Sequence, residues 1–163
     1  MKPADLLSLL QGLHADKLAL RRRHEAGARR VPGYEHNNTY QYVINRENEH
    51  LSWLSAAILE YGATPAEPGA DLPVPETGKG AAAGPGVFDD DVRAARAFLE
   101  KWATRTAAVT HARHRKMLDL MMGETREQLR FFELAAAGSH DLLGRRPAGA
   151  GTGGGVMPAR WIE

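Results

Sequence analysis

Apolar residues along this chain recur at intervals of three and four and hardly ever alternate, so the pattern predicts helices and almost no strand. In the first periodic segment, roughly 3 to 29, Leu6, Leu10, Leu13, Lys17 and Leu20 share one face, and Pro3 suits a first helical turn. "VPGYEHNN" interrupts it, with Val31-Pro32-Gly33 as turn chemistry. A second helix is predicted from Asn38, a good N-cap, to Tyr61, with Gly62 as its stop and Pro65 beyond. The pattern then lapses through a Pro- and Gly-rich stretch, 62 to 87, that is too long for a tight connection.

Periodicity resumes at Phe88, where Asp89 to Asp91 offer an N-cap and complement the helix dipole, and it runs to Gly138. A single helix of that length would extend ~75 Å at 1.5 Å per residue, so the segment must fold back. Threonines between Thr106 and Thr110 weaken helix propensity and place the turn there, Thr110 capping the next helix; Gly123 is the rival break. Four helices result, with short connections inside each pair and a long one between the pairs. The expected fold is therefore all-α: a four-helix bundle over 1–138, two antiparallel hairpins joined by one long crossover. Residues 139–163 read as a Gly-rich tail ending in an apolar knot of Val156, Met157, Trp161 and Ile162 that either stays free or docks on a subunit.

Two stripes carry polar residues where apolar ones are expected. The inward face of helix two runs Val43, Glu47, His50, Leu54, Ala57 with Ile58, and Tyr61. That of helix four runs Met117, Met121, Glu124, Gln128, Phe131 and Ala135, flanked by Leu118 and Phe132. Buried carboxylates and imidazoles are costly unless satisfied, and a metal ion is one way of satisfying them. Glu47 and His50, one turn apart, point side by side into a bundle centre, as ligands of carboxylate-bridged metal pairs do. Glu124 and Gln128 face them; Glu127, to one side, is a reserve ligand, and His14 flanks the stripe of helix one. Helix three, with the stripe Val92, Ala95, Leu99, Trp102, Thr106 and Val109, offers no inward carboxylate.

Composition narrows the chemistry. The 163 residues carry no cysteine, which excludes disulfides, iron–sulfur clusters and thiolate zinc sites. A net charge of +1 gives no electrostatic case for nucleic acid, and the basic run "LRRRHEAGARR" lacks interleaved aromatics for base stacking. No apolar run approaches a membrane span or a signal peptide, so the expected setting is the cytoplasm, with no membrane partner.

"RENEHLSWLSAAILEYGATP" resembles the second helix of ferritin-like proteins of the rubrerythrin and bacterioferritin type, and "MMGETREQLRFFELAAAGSHDLLGRR" resembles a matching fourth helix. The two segments align with each other, setting His50 opposite Gln128 and Glu47 opposite Thr125. The resemblance implies a bundle holding iron or manganese, with oxidase, peroxidase or storage chemistry and a homodimeric state. On this chain Glu47 and His50 match its ligand positions, and Glu124 or Glu127 stands in on helix four. Two other readings remain open. One is a metal-free bundle acting as a binding or assembly module, its polar core residues satisfying one another. The other is a mononuclear site of DinB-like type formed by His50 with His111 and His114.

Overall fold

A computed structural model describes residues 1–31, 33–66, 86–140 and 142–143. They form four helices: α1 (Pro3–Ala28), α2 (Tyr34–Glu60), α3 (Gly86–Ala107) and α4 (Ala112–Ala136). No strand occurs among the described residues. Most of the expected crossover (67–85) and of the expected tail (144–163), including the Trp161 knot, lies outside them.

The direction of each helix follows from which side chains meet. Down the α1/α3 seam, the Met1 amino group donates to Thr110, Trp102 donates to Asp16, and Arg23 donates to Asp91, so the two run antiparallel. Down the α2/α4 seam, Glu60 meets Arg113, Arg46 meets Glu124, and His36 donates to the Ser139 carbonyl, again antiparallel. With α1 and α2 forming one hairpin and α3 and α4 the other, α2 and α3 run parallel on one diagonal and α1 and α4 face each other on the second. The chain leaves α2 beside the start of α4 and enters α3 beside the start of α2. Parallel neighbours in sequence need one long connection, as the length of 62–87 predicts.

Helix boundaries depart from expectation at the N-termini of α2, α3 and α4, whereas α1 begins at Pro3 as expected. Helix α2 begins at Tyr34 with Gly33 as its cap, one turn before Asn38. The Asn37 backbone N–H already bonds to the Gly33 carbonyl at 3.0 Å, and its side chain ties this first turn to the Ala28 carbonyl, so the helix is under way before Asn38 and leaves it no cap to make. Helix α3 begins at Gly86, which puts Asp89 to Asp91 inside the helix and not at its cap. The cap of α4 is His111, whose Nδ1 accepts from the His114 backbone N–H, and not Thr110. The C-termini match expectation. Gly62 and Gly138 adopt φ of 72° and 86°, the left-handed conformation that glycine takes without penalty. Each closes a Schellman motif, Ala63 N–H to Ile58 O and Ser139 N–H to Leu134 O. The α3/α4 turn falls at 108–111, and α4 passes through Gly123 unbroken.

Apolar packing is divided into two clusters. One gathers Leu10, Leu13, Leu54, Ile58, Trp102 and Leu118 near the α3/α4 turn; the other gathers Tyr40, Val43, Val92, Phe131, Phe132 and Ala135 near the α1/α2 turn. Between them lies a layer of buried polar side chains.

Candidate functional site: a buried polar layer

The layer is built from α1, α2 and α4. Lys17 is placed by the Leu13–Lys17–Leu20 register of α1, and with an apolar stripe on either side its ammonium is carried to the bundle interior. There it is wholly buried, as is Glu47 of α2 opposite it. Lys17 Nζ lies 3.3 Å from Glu47 Oε1, an ion pair whose angle falls outside hydrogen-bond geometry. It donates to Thr125 Oγ1 at 3.1 Å and to Gln128 Oε1 at 3.5 Å, both on α4 across the diagonal. Thr125 sends its own hydroxyl proton to the Met121 carbonyl, leaving its lone pairs for the ammonium. The Lys17 ammonium also stands 5.1 Å from the centroid of the Phe98 ring.

The second Glu47 oxygen, Oε2, accepts from His24 Nδ1 at 2.8 Å. A separate pair lies one turn along α2. There His50 Nε2 donates to Glu124 Oε2 at 2.6 Å, and Arg46 forks onto both Glu124 oxygens from the half-exposed side.

Charge follows from this arrangement. Burial pushes the Glu47 carboxyl up, but His24 and Lys17 outweigh it and hold it below the usual carboxylate range. Burial draws Lys17 below the ordinary lysine value, against the pull of Glu47 and Glu124. Burial and the neighbouring Lys17 charge bring His50 down to about 4, against Glu124, so His50 is neutral at pH 7. Glu124, raised by burial but held more strongly by Arg46 and His50, stays below its ordinary value and is ionised.

The structure separates the sequence-derived candidates. Glu47, His50 and Gln128 are buried, and Glu124 lies 2.6 Å from His50. Glu127 is exposed, its carboxylate 3.5 Å from the Tyr42 hydroxyl on the outer surface. His14 is buried but is placed elsewhere, sharing a 3.1 Å hydrogen bond with Ser55. His111 and His114 pack ring to ring at 4.4 Å at the start of α4, beside Glu60 and Tyr61. That end of α2 is ten residues from His50, about 15 Å along the helix, so the geometry does not bring the three histidines together. His111 is exposed, as its basic neighbours suggest, whereas His114 is buried.

Two residues of the layer, and one buried carboxylate outside it, went unassigned in the sequence. Lys17 stood on the leucine stripe and His24 near its far end, and a lysine on an apolar stripe is the signal that marks the first. Asp91 is the third, a buried carboxylate on α3, where none was expected to face inward. It accepts from the Tyr40 hydroxyl at 2.5 Å and from Arg23 at 3.0 Å.

A carboxylate-bridged metal pair needs several anionic and imidazole donors free to converge on one point. Here both Glu47 oxygens face cationic or N–H groups of the protein, and so do both Glu124 oxygens. Among the described residues no group of three or more His, Cys, Asp or Glu side chains is arranged to hold an ion. The residues present do not fit the two-metal centre. No protein-family model, no curated protein and no solved structure matches this chain. No helix of the described residues is long and apolar enough to cross a membrane.

Proposed function

We propose that this protein is a ferritin-like bundle that works without a core metal, as a binding and assembly module. The observation that carries the reading is the Lys17 ammonium at Glu47: the charge that a metal would bring to the inward carboxylate is already supplied by the chain. A buried carboxylate demands a partner, and Lys17 with His24 meets that demand without an ion. With its interior charges closed, the molecule acts through its surface. A groove of about 420 Å³ between α2 and α4 is lined by Trp53, Ala56, Met117 and Leu120, and Leu120 is half exposed. Its edge carries both signs, Arg113 and Glu60, which a two-fold arrangement of identical copies can exchange. The partner we assign to it is a second copy of this chain.

Elemental analysis of the protein as purified tests the first half: iron and manganese stay far below one ion per chain, whereas a near-stoichiometric ion removed by Glu47→Ala refutes the reading. Light scattering on the eluting protein tests the second. The wild type runs as a dimer and Leu120→Glu as a monomer; a monomeric wild type at tens of micromolar rejects the assembly role.

A further inference from the structure

We infer that Lys17 is the residue that keeps divalent metal out of this core, its ammonium standing at a point where oxygens of α2 and α4 would otherwise receive an ion. The inference rests on the metal-independent reading and goes one step past it, from the fact of a closed core to the single side chain that closes it.

An ammonium has three N–H donors and no acceptor, and Lys17 Nζ has three side-chain oxygens within 3.5 Å: Glu47 Oε1, Thr125 Oγ1 and Gln128 Oε1. They belong to two different helices, α2 and α4, while the lysine comes from a third, α1, by reaching across the diagonal. One charged group therefore ties three of the four helices at one point. The position is the centre of the polar layer, wholly shielded from solvent. The oxygens around it are a carboxylate, an amide and a hydroxyl, the donor set that suits a hard divalent cation such as Mn²⁺. Gln128 is a poor ligand for a soft or borderline ion but a serviceable one for this class. Further nitrogens border the layer: His24 Nε2 and His50 Nδ1 are buried without a hydrogen-bond partner among the described residues.

Removing the ammonium leaves a buried carboxylate with only His24 beside it, which no longer balances its desolvation. A cation at the same position gives that carboxylate a partner again; Mn²⁺ brings one positive charge more than the ammonium, and the ionised Glu124, whose field already reaches Lys17, is the further anion that offsets it. Lys17 and Mn²⁺ are thus alternatives for one site, and the wild-type sequence has taken the lysine.

The test uses the full chain and MnCl₂ as the probe, following the six-line electron paramagnetic resonance signal of free Mn²⁺. Wild type leaves that signal undiminished. Lys17→Ala removes one ion per chain from solution, and Lys17→Ala with Glu47→Gln loses that uptake at least tenfold, which separates the core from surface binding. If Lys17→Ala does not fold in metal-free buffer, refolding it with MnCl₂ restores helical circular dichroism. Stoichiometric uptake by wild type that is abolished by Glu47→Gln overturns both the inference and the metal-independent reading. A folded Lys17→Ala that takes up no Mn²⁺, or an unfolded one that Mn²⁺ does not rescue, overturns the inference alone and leaves that reading standing.

Discussion

At the scale of single residues, the layer makes stability depend on pH, and the sign follows from which groups titrate. His50 titrates near 6.5 in an unfolded chain and near 4 in the folded one, because burial and Lys17 oppose its protonation. Between those values the unfolded state binds more protons, so stability rises with pH across the window and is lost as pH falls from about 6.5 toward 4. Glu47 and Glu124 are held below their ordinary values, so their contribution is present above ~4.3 and disappears as pH drops through their folded pKa. Acid therefore acts in two stages. Urea midpoints measured from pH 7 to about 3 should fall in the wild type through both stages. His50→Gln should flatten the upper stage and leave the carboxylate stage in place. Some slope survives there, because burial also lowers His14 and His114. An unchanged slope in the variant refutes the assignment. Sequence spacing placed Glu47, His50 and Gln128 correctly, since period alone decides which face a residue occupies. Spacing says nothing of what meets that face, and so Lys17 as partner to Glu47, coming from a helix thirty residues away, was not legible.

At the scale of elements, two helical glycines predict opposite responses to one substitution. Gly27, near the end of α1, faces Tyr40 so closely that an added Cβ would lie 2.8 Å from the hydroxyl oxygen and 2.9 Å from ring carbons. Tyr40 cannot give way: its ring is wholly buried and its hydroxyl is held by Asp91. Alanine's better helix propensity contributes up to ~1 kcal/mol, whereas overpacking a fixed neighbour costs ~1–3 kcal/mol. Packing wins, and Gly27→Ala lowers stability by about 1 kcal/mol or more. Gly123, exposed in the middle of α4, has nothing within 4 Å of an added Cβ. Gly123→Ala should raise stability by about 1 kcal/mol on propensity alone. Chemical denaturation of the pair decides: a gain in stability from Gly27→Ala would mean that α1 and α2 are not in close contact there, and a loss from Gly123→Ala would refute the propensity argument for α4. The contrast explains why glycine was ambiguous in the sequence. Gly62 and Gly138 ended helices as expected because helical pattern stops beside them, while Gly123 offered the same residue with the pattern continuing on both sides. N-termini were harder to read, because Asn, Thr and Asp cap helices but equally bind neighbouring elements, as Asn37 and Asp91 do.

At the scale of the whole molecule, the topology was legible because lengths constrain it: a short connection forces antiparallel neighbours, and a long one permits parallel helices across the bundle. What lengths leave open is which apolar face meets which, and the polar layer supplies that information. Lys17 finds Glu47, Thr125 and Gln128 in only one register of α1 against α2 and α4; a slip of one turn leaves a buried ammonium unpaired. Such a layer specifies the arrangement more than it stabilises it. Breaking a buried pair from one side costs ~3–5 kcal/mol, whereas replacing the set by apolar residues of similar volume is often neutral or stabilising by ~1–4 kcal/mol. Glu47→Ala should therefore be strongly destabilised. The combined variant Lys17→Met, His24→Leu, Glu47→Leu, which removes the three charged or ring groups together, should melt at or above the wild-type temperature. Its cost should appear in order: with the two apolar clusters joined through the layer, alternative registers lose their penalty, and amide resonances of α1 should broaden or double. If the combined variant melts well below the wild type, the layer is a net source of stability. If it is stable and its spectra remain single and sharp, helix register is set by shape complementarity at Trp102, Tyr40 and Phe132, and the buried ions do not determine it.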